Sequence, residues 1–388
     1  MKNSCPFSIL SYMINKARII VGANYGDESK GTVAAYYTKN ARGKVLNILT
    51  NGGAQRGHSV ISDNGDFTFK HFGSGTCYNA DNYFSQYFIL NPMQFAKEYS
   101  ALNEKLGFFS NLKLYRNERC MWTTPYDQMF NLAIEESRGK DRHGSCGMGI
   151  WETVLRYEKT KTYDFDYFMD MPYPFKVQYL KDVRTYFDNR GVKIPAELAE
   201  AWHSDFLIDH FIQDCITMDV MTKQVKSITE IQFDYDEIIC ENGQGLLLSS
   251  DLNDEAHTTP SCTGSVCGLN ILANELHLPR ECITTHYVTR PYLTRHGMGD
   301  LSAECDKKQI SLGVKEDRTN RYNVTQGDFR FGKLDLDKLR ERIIFDYNTV
   351  CSERFKIELT HCDEMDRVKE FNDTFIKKNV HTFDSPNV

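Results

Sequence analysis

The twelve cysteines of this 388-residue chain contain no C-x-x-C pair, and the closest two are Cys262 and Cys267. Neither a zinc site nor a disulfide scaffold is indicated, so reduced thiols and a cytoplasmic location are expected. No apolar run approaches the roughly 20 residues that a membrane helix needs. The first 17 residues carry a short apolar patch without a convincing cleavage site and read as an N-terminal extension, not a signal peptide. Basic clusters are also missing, and the net charge is −7. A grip on nucleic acid, which relies on neutralising many phosphates, is therefore not expected. Repeats, low-complexity segments and long Pro/Gly/Ser linkers are absent, so residues 18–388 read as a single domain. With 41% hydrophobic residues, such a domain can bury a core.

Against these absences stand short apolar, β-rich runs at 18–22, 45–49, 235–240, 283–289 and 355–360, several of which empty into glycine-bearing or polar strings. Strands that end in such loops predict an α/β fold with a large, mostly parallel central sheet flanked by helices. Between 159 and 232 the pattern changes to longer aromatic and charged stretches with helical spacing, as in 197–221, and predicts a helical insertion.

The most telling string follows the first run: Gly26-Asp27-Glu28-Ser29-Lys30-Gly31-Thr32. A glycine turn leaves backbone N–H groups free for an anion, and a helix from Thr32 would add its positive end. Lys30 supplies charge for a phosphoryl oxygen, while Asp27 and Glu28 suit a divalent metal or a proton. An ordinary P-loop has its lysine after the second glycine; here the lysine precedes it. A second loop, Gly52-Gly53-Ala54-Gln55-Arg56-Gly57-His58-Ser59, follows the second run and places His58 to donate a proton. Gly144-Ser145-Cys146-Gly147-Met148-Gly149 offers small hydrogen-bonding groups to a phosphate. Glu241-Asn242-Gly243-Gln244-Gly245 carries an amide able to read a purine edge. Arg295 and Arg330 lie beside glycine turns as candidate carboxylate clamps, and Asp363, two residues after His361, can accept from a guanine.

The set and order of these strings resemble the adenylosuccinate synthetase family over about residues 18 to 388. Its Gly-Asp-Glu-Gly-Lys-Gly is similar to Gly26–Gly31 with one substitution, and its Gly-Gly-x-Asn-Ala-Gly-His-Thr to Gly52–Ser59. Its Glu-Gly-Ala-Gln-Gly is similar to Glu241–Gly245, and its Pro-Tyr-Val-Thr-Ser to Pro260–Gly264. The resemblance implies that family's P-loop-NTPase-like fold and a ligase that joins L-aspartate to C6 of a 6-oxopurine nucleotide through a 6-phosphoryl intermediate. It implies Mg²⁺, GTP or ATP as co-substrate, and a homodimer. By carry-over, Asp27 takes the purine N1 proton and, with the Gly57 carbonyl, holds the metal. His58 acts as acid toward the phosphoryl group, Lys30 offsets its charge, and Gln244 steadies O6. Gly26, Glu28, Ser29, Lys30, Gly31, Thr32, Gly57, His58, Ser59, His361 and Asp363 would bind the triphosphate donor. Gln55 lies beside the purine, Ser145, Cys146 and Thr263 contact the 5′-phosphate, and Arg295 and Arg330 the aspartate carboxylates. Family dimers also carry an arginine that reaches the partner's site, for which Arg156 is a loose counterpart.

The departures bear on substrate. Met148 replaces an arginine, and His361 replaces the lysine of the guanine-reading string. Gln55 and Arg56 replace Asn-Ala, and the arginine-rich string near 325–330 is shortened. Divergent viral relatives use a guanylate to make a 2-aminoadenine precursor and usually carry serine in place of the catalytic aspartate. Asp27 is kept, which favours IMP or dIMP over (d)GMP. Two other readings remain: a nucleotide-binding regulator without ligation, and a simple NTPase, which the lysine order disfavours.

Overall fold

The computed structural model describes residues 14, 16–62, 65–107, 111–249, 264–315, 322, 325–350, 352 and 354–384. The strands are β1 (Lys16–Gly22), β2 (Val45–Leu49), β3 (His58–Val60), β4 (Phe67–Phe69), β5 (Asp81–Phe84), β6 (Leu114–Asn117) and β7 (Lys223–Val225), then β8 (Glu237–Gly245), β9 (Ile283–Thr289), β10 (Leu293–Arg295), β11 (Arg330–Gly332), β12 (Arg354–Leu359) and β13 (Val380–Thr382). Nine of them form one sheet in the order β13-β12-β9-β1-β8-β2-β5-β6-β7. Every neighbouring pair in it is parallel. The remaining four make two antiparallel ribbons, β3–β4 and β10–β11.

A parallel sheet covered on both faces demands near-continuous apolar strands, and β1, β2 and the first half of β8 come nearest to that demand. Ile19, Ile20, Val21, Leu46, Ile48, Ile238 and Ile239 are fully buried. All five apolar runs are strands. β5 and β6 were illegible because they bury polar groups through side-chain pairing. In β5, Asp81 accepts from the Tyr235 hydroxyl at 2.7 Å and Asn82 accepts from Gly73 N at 2.6 Å. In β6, Arg116 donates to Asp166 at 2.6 Å and Asp219 at 2.6 Å.

The helices that matter to the site are α1 (Lys30–Lys39), α2 (Pro92–Leu106), α3 (Pro125–Arg138) and α4 (Ile150–Lys159). Beyond them, α5 (Phe165–Asp170), α6 (Tyr173–Asp188), α7 (Ala196–His203) and α8 (Asp205–Met221) follow one another in the stretch expected to be a helical insertion. They are amphipathic because Phe168, Leu180, Phe187, Trp202, Ile208, Phe211 and Met218 fall on inward faces. Those side chains join Trp122, Phe130 and Phe95 in one hydrophobic cluster. A β-bearing break follows at β7. Among the described residues no helix is long and apolar enough to cross a membrane. Cys267 is disulfide-bonded, which corrects the expectation of reduced thiols throughout; eight other described cysteines are free.

The C-terminal end of α1 is pinned by a buried polar knot. Glu358 of β12 accepts from Tyr37 of α1 at 2.8 Å, and its two oxygens meet His286 Nδ1 at 2.5 Å and His381 Nδ1 at 3.0 Å. Burial opposes the Glu358 charge, but the hydrogen bonds from His286, His381 and Tyr37 prevail and hold its pKa down to about 2. A depressed carboxyl pKa contributes stability above the unfolded value of 4.5 that is lost as pH falls toward 2. Glu358→Gln is therefore expected to cost about 3 kcal/mol at neutral pH. In denaturant titrations the gap from wild type should be full at pH 7 and should shrink well below pH 4.5.

Candidate active site

β1, β8 and β2 lie side by side at the middle of the sheet, and their carboxyl ends carry the first, fourth and second glycine loops. Loops at the carboxyl ends of parallel strands form the usual ligand crevice of α/β sheets. Three close approaches bind these loops together. A Cβ on Gly245 would meet Asn24 O at 2.2 Å and Gly26 N at 2.6 Å, so the first turn rests directly on the Gln244–Gly245 backbone. A Cβ on Gly243 would meet Asn51 O at 2.8 Å, and Gly243 N donates to Asn51 Oδ1 at 2.8 Å. Most informative, a Cβ on Gly31 would meet His58 Cβ at 2.8 Å and Ser74 Oγ at 2.8 Å. The first turn of α1 therefore presses on the base of the His58 side chain.

The helix begins at Lys30, two residues earlier than expected from sequence, because Ser29 takes a left-handed conformation with φ 69° and turns the chain into α1. The turn is not an open cradle either. Glu28 Oε1 accepts from Asn24 N at 3.0 Å and Gly26 N at 2.9 Å, so two of the N–H groups expected to face an anion are already held. Glu28 is thus a builder of the turn. Its Oε2 is buried without a hydrogen-bond partner and lies 3.9 Å from Lys30 Nζ. Lys30 is 1% exposed and donates to Gly26 O at 2.5 Å. Burial pulls the Lys30 pKa down and pushes the Glu28 pKa up; Asp27 and Glu241 oppose the first effect. An arriving phosphate would stabilise the same lysine charge.

Ser29 stands where the resembled string has glycine. An L-residue with left-handed backbone costs about 1–2 kcal/mol, of which glycine's extra chain entropy returns part. Ser29→Gly should therefore stabilise the protein by about 0.5–1 kcal/mol in chemical denaturation.

His58, first residue of β3, is 5% exposed. Its Nδ1 lies 2.5 Å from Glu241 Oε1, which also accepts from Ser74 Oγ at 2.6 Å, while Glu241 Oε2 accepts from Ser74 N at 2.9 Å. His58 Nε2 is buried and has no partner. Burial lowers the His58 pKa to about 4 against the opposing pull of Glu241, with Lys30 and Arg56 adding to the depression. For Glu241, burial is outweighed by the bond and charge of His58, the Arg56 charge and the Ser74 hydroxyl, and its pKa falls to about 2. Asp27, Lys30, His58 and Glu241 thus form one electrostatic cluster.

Asp27 is half-buried, its carboxylate accepts no hydrogen bond among the described residues, and its carbonyl accepts from Arg290 Nε at 2.7 Å. Gly57 is exposed. A single unengaged carboxylate and an accessible carbonyl fit Mg²⁺, which keeps most of its ligands as water and substrate phosphate oxygens. No group of three or more His, Cys, Asp or Glu suited to a metal occurs among the described residues.

Gln55 Oε1 accepts from Gly53 N at 2.7 Å, and its buried Nε2 has no partner. Arg56, expected beside the purine, instead turns inward and donates to Lys70 O at 3.3 Å, His71 O at 3.2 Å and Phe72 O at 2.9 Å. Glu98 receives the N–H groups of the same residues, His71 at 2.8 Å and Phe72 at 3.0 Å. Burial raises Glu98 to about 7 despite those bonds. Arg56 is a strut beneath the site.

The third loop reaches the others at both ends. A Cβ on Gly53 would meet Ile150 Cδ1 of α4 at 2.7 Å, and a Cβ on Gly144 would meet Gly297 Cα at 2.8 Å. Ser145 N and Gly144 N donate to Glu135, Ser145 Oγ bonds Asn131 at 2.9 Å, and Cys146 is a partly exposed free thiol. Arg295 and Arg330 are direct partners across the β10–β11 ribbon. Arg295 is buried over the Tyr25 ring at 4.7 Å and donates to Asp300 O at 2.6 Å. Arg330 is gripped by Glu304, with 2.8 Å from Nε, and by Gly297 O and Gly299 O. Ser59 bonds Thr68 at 3.0 Å and Thr32 donates to Ser59 O at 3.3 Å. His361, with φ 57°, follows β12, where Thr360 donates to Glu28 O at 3.1 Å. Asp363 is paired with Lys315 at 2.6 Å. Gln244 is buried beside Gly26. Thr263 lies outside the described residues.

Arg156 requires a correction. It is fully buried in its own chain, donating to Asp127 Oδ1 and Oδ2 at 2.9 Å each, to Trp122 O at 2.7 Å and to the Tyr179 hydroxyl at 3.2 Å. A guanidinium so enclosed cannot extend to another subunit. Other residues were missed. Ser74 sits in a glycine-bearing string, Phe72-Gly-Ser-Gly-Thr-Cys77, that drew no reading, and Glu241 was part of a motif without a role. Arg342 ties the first turn by donating to Ala23 O and Asn24 Oδ1, each at 2.8 Å, and nothing in its helical stretch announced it.

A parallel sheet with glycine loops, a buried lysine and a histidine–carboxylate pair at its carboxyl edge is the arrangement of a nucleotide-handling α/β enzyme. The family model for adenylosuccinate synthetase matches residues 19–373, and the chain belongs to that family of ligases, which form a C–N bond. The adenylosuccinate synthetase of Chlorobium chlorochromatii is 23% identical over 381 residues, spanning 91% of this chain and 78% of its own length. That of Blochmanniella pennsylvanica is 25% identical, spanning 94% and 82%. The fully ligated adenylosuccinate synthetase of Plasmodium falciparum shares the fold with a TM-score of 0.69 at 19% identity, over 90% of this chain and 78% of that one. The succinoaminodeoxyadenylate synthetase of cyanophage S-2L, bound to dGMP and dATP as an energy donor, does so with a TM-score of 0.65 at 15% identity, over 96% and 94%.

Proposed function

We propose that this protein joins L-aspartate to C6 of IMP or dIMP, using a nucleoside triphosphate and a 6-phosphoryl intermediate. The carrying observation is the contact of the Lys30–Gly31 turn with His58, which puts the phosphate-directed lysine, Asp27 and an imidazole with a free Nε2 into one cluster. Asp27 removes the N1 proton, and O6 then attacks the γ-phosphorus while the nucleoside diphosphate leaves. The amine of aspartate next attacks C6, and phosphate departs with the former O6. Lys30 and His58 Nε2 stabilise the charge of the phosphoryl group in transit. Gln244 holds O6, the unpartnered Gln55 amide faces the base, Ser145, Cys146 and Thr263 take the 5′-phosphate, and Arg295 with Arg330 takes the aspartate carboxylates. Mg²⁺ held by Asp27 and Gly57 would shield the donor phosphates and polarise the transferring phosphoryl group.

His361 and Asp363 receive the base of the donor. Because Lys315 already engages Asp363, a guanine has to compete for that carboxylate, which supports ATP as donor in addition to GTP. The reading includes one catalytic domain over 18–388 with 159–232 inserted, a homodimer, and action in the cytoplasm away from nucleic acid and membrane. A second reading, the same chemistry on (d)GMP, draws support from the near-complete mutual coverage with the cyanophage enzyme and from Met148 and the shortened 325–330 string. Asp27 weighs against it.

Incubation with each of IMP, dIMP, GMP and dGMP, with aspartate, Mg²⁺ and ATP or GTP, separates these readings by product mass. Succinyl-purine formation from IMP or dIMP supports the first, and formation from guanylates alone transfers the assignment to the second. Nucleotide binding without any aspartate-dependent phosphate release refutes both.

A further inference from the structure

Three groups below the first turn are more tightly organised than substrate binding requires. Glu241 lies midway along β8, is fully buried, and spends both oxygens within the chain: Oε2 on Ser74 N at 2.9 Å, Oε1 on Ser74 Oγ at 2.6 Å and His58 Nδ1 at 2.5 Å. A carboxylate so placed never reaches a ligand itself. Gly31 sits on this arrangement from above, within what would be 2.8 Å of both His58 Cβ and Ser74 Oγ, so the ring has no room to swing out on that side. An ionised carboxylate only accepts hydrogen bonds, so the short contact requires a proton on Nδ1. The other neutral tautomer would set the Nδ1 lone pair against the carboxylate oxygen.

We propose that Glu241 is the positioning residue of His58, that Ser74 secures Glu241, and that together they fix the ring as its Nδ1–H tautomer with Nε2 presented to the phosphoryl group. The inference rests on the ligase reading for its consequence, but its geometric content stands without substrate. Nε2 is the one ring nitrogen left for a ligand, and it is buried and unpartnered. When Nε2 takes up a proton from solvent and donates it to the phosphoryl oxygens, the fixed charge of Glu241 balances the positive ring, and the Ser74 bonds keep that charge from turning away. The ring then needs no reorientation during the reaction, which is what pre-organisation means here.

The test uses the full-length protein with ¹⁵N-labelled histidine and reads imidazole nitrogen shifts, with His58→Gln identifying the His58 signals among the 11 histidines. Wild type should show His58 as the Nδ1–H tautomer without any ligand. In Glu241→Gln one amide face must oppose a donor, and the ring should shift to the Nε2–H form or a mixture. If ligase activity is present, Glu241→Gln should lower kcat by roughly 10²-fold or more while KM for the nucleotides stays within about threefold. Ser74→Ala, which removes one bond and keeps the carboxylate, should lower kcat by about tenfold and covers the case in which Glu241→Gln does not fold. An Nε2–H tautomer in wild type overturns the proposal, as do unchanged kcat values in the folded variants. Absence of ligase activity in wild type with the Nδ1–H tautomer present would instead overturn the functional reading and leave the positioning intact.

Discussion

Replacing Asp27 by asparagine is expected to lower the turnover of aspartate-dependent phosphate release by about 10³–10⁴-fold, within the range that a general base contributes. The side chain keeps its size, and the backbone position survives because Arg290 holds the Asp27 carbonyl and not the carboxylate. Melting temperature should therefore barely move. An amide cannot take the N1 proton, so O6 remains a poor nucleophile toward phosphorus, and Mg²⁺ loses an anionic ligand. Steady-state kinetics over a range of Mg²⁺ concentrations check both effects. Excess Mg²⁺ should recover only a small part of the loss; full recovery would show that Asp27 serves the metal alone.

His58→Gln should come next, with kcat about 10²–10³-fold lower. The effect lies in Nε2, which is buried, unpartnered and close enough to Lys30 to feel its charge. Glutamine can still donate to Glu241 from its amide, so the core beneath should hold. What it cannot do is bond Glu241 and the phosphoryl group along the two opposed directions of an imidazole. Nucleotide binding measured by calorimetry should change little while turnover collapses, the pattern of an interaction made in the transition state.

The centre of the sheet was legible in the sequence because its strands are buried on both faces and carry short, mostly apolar β-rich runs. The flank made by β5 and β6 was not, since Asp81, Asn82 and Arg116 are buried polar residues whose partners come from outside their own strands. Such pairings have no local signature. At the site the loops could be placed by their glycines, and the structure gathers them at one edge of the sheet. The division of labour inside the first loop could not be foreseen: Glu28 looked like a ligand for phosphate or metal and instead holds Asn24 N and Gly26 N. Arg56 belongs to the string expected beside the purine, and it turns inward to brace the 70–72 backbone. In both cases the deciding fact is side-chain direction, which spacing in sequence does not encode. Arg156 failed for a related reason, as its burial depends on Asp127 from α3 and Tyr179 from α6.

The central claim is that the oxygen at C6 of the purine becomes an oxygen of phosphate within the cluster of Asp27, Lys30 and His58. Turnover of IMP labelled with ¹⁸O at position 6, with ATP, Mg²⁺ and aspartate, followed by ³¹P spectroscopy of the released phosphate, tests it directly. The account predicts one ¹⁸O in each phosphate formed. Unlabelled phosphate would contradict it.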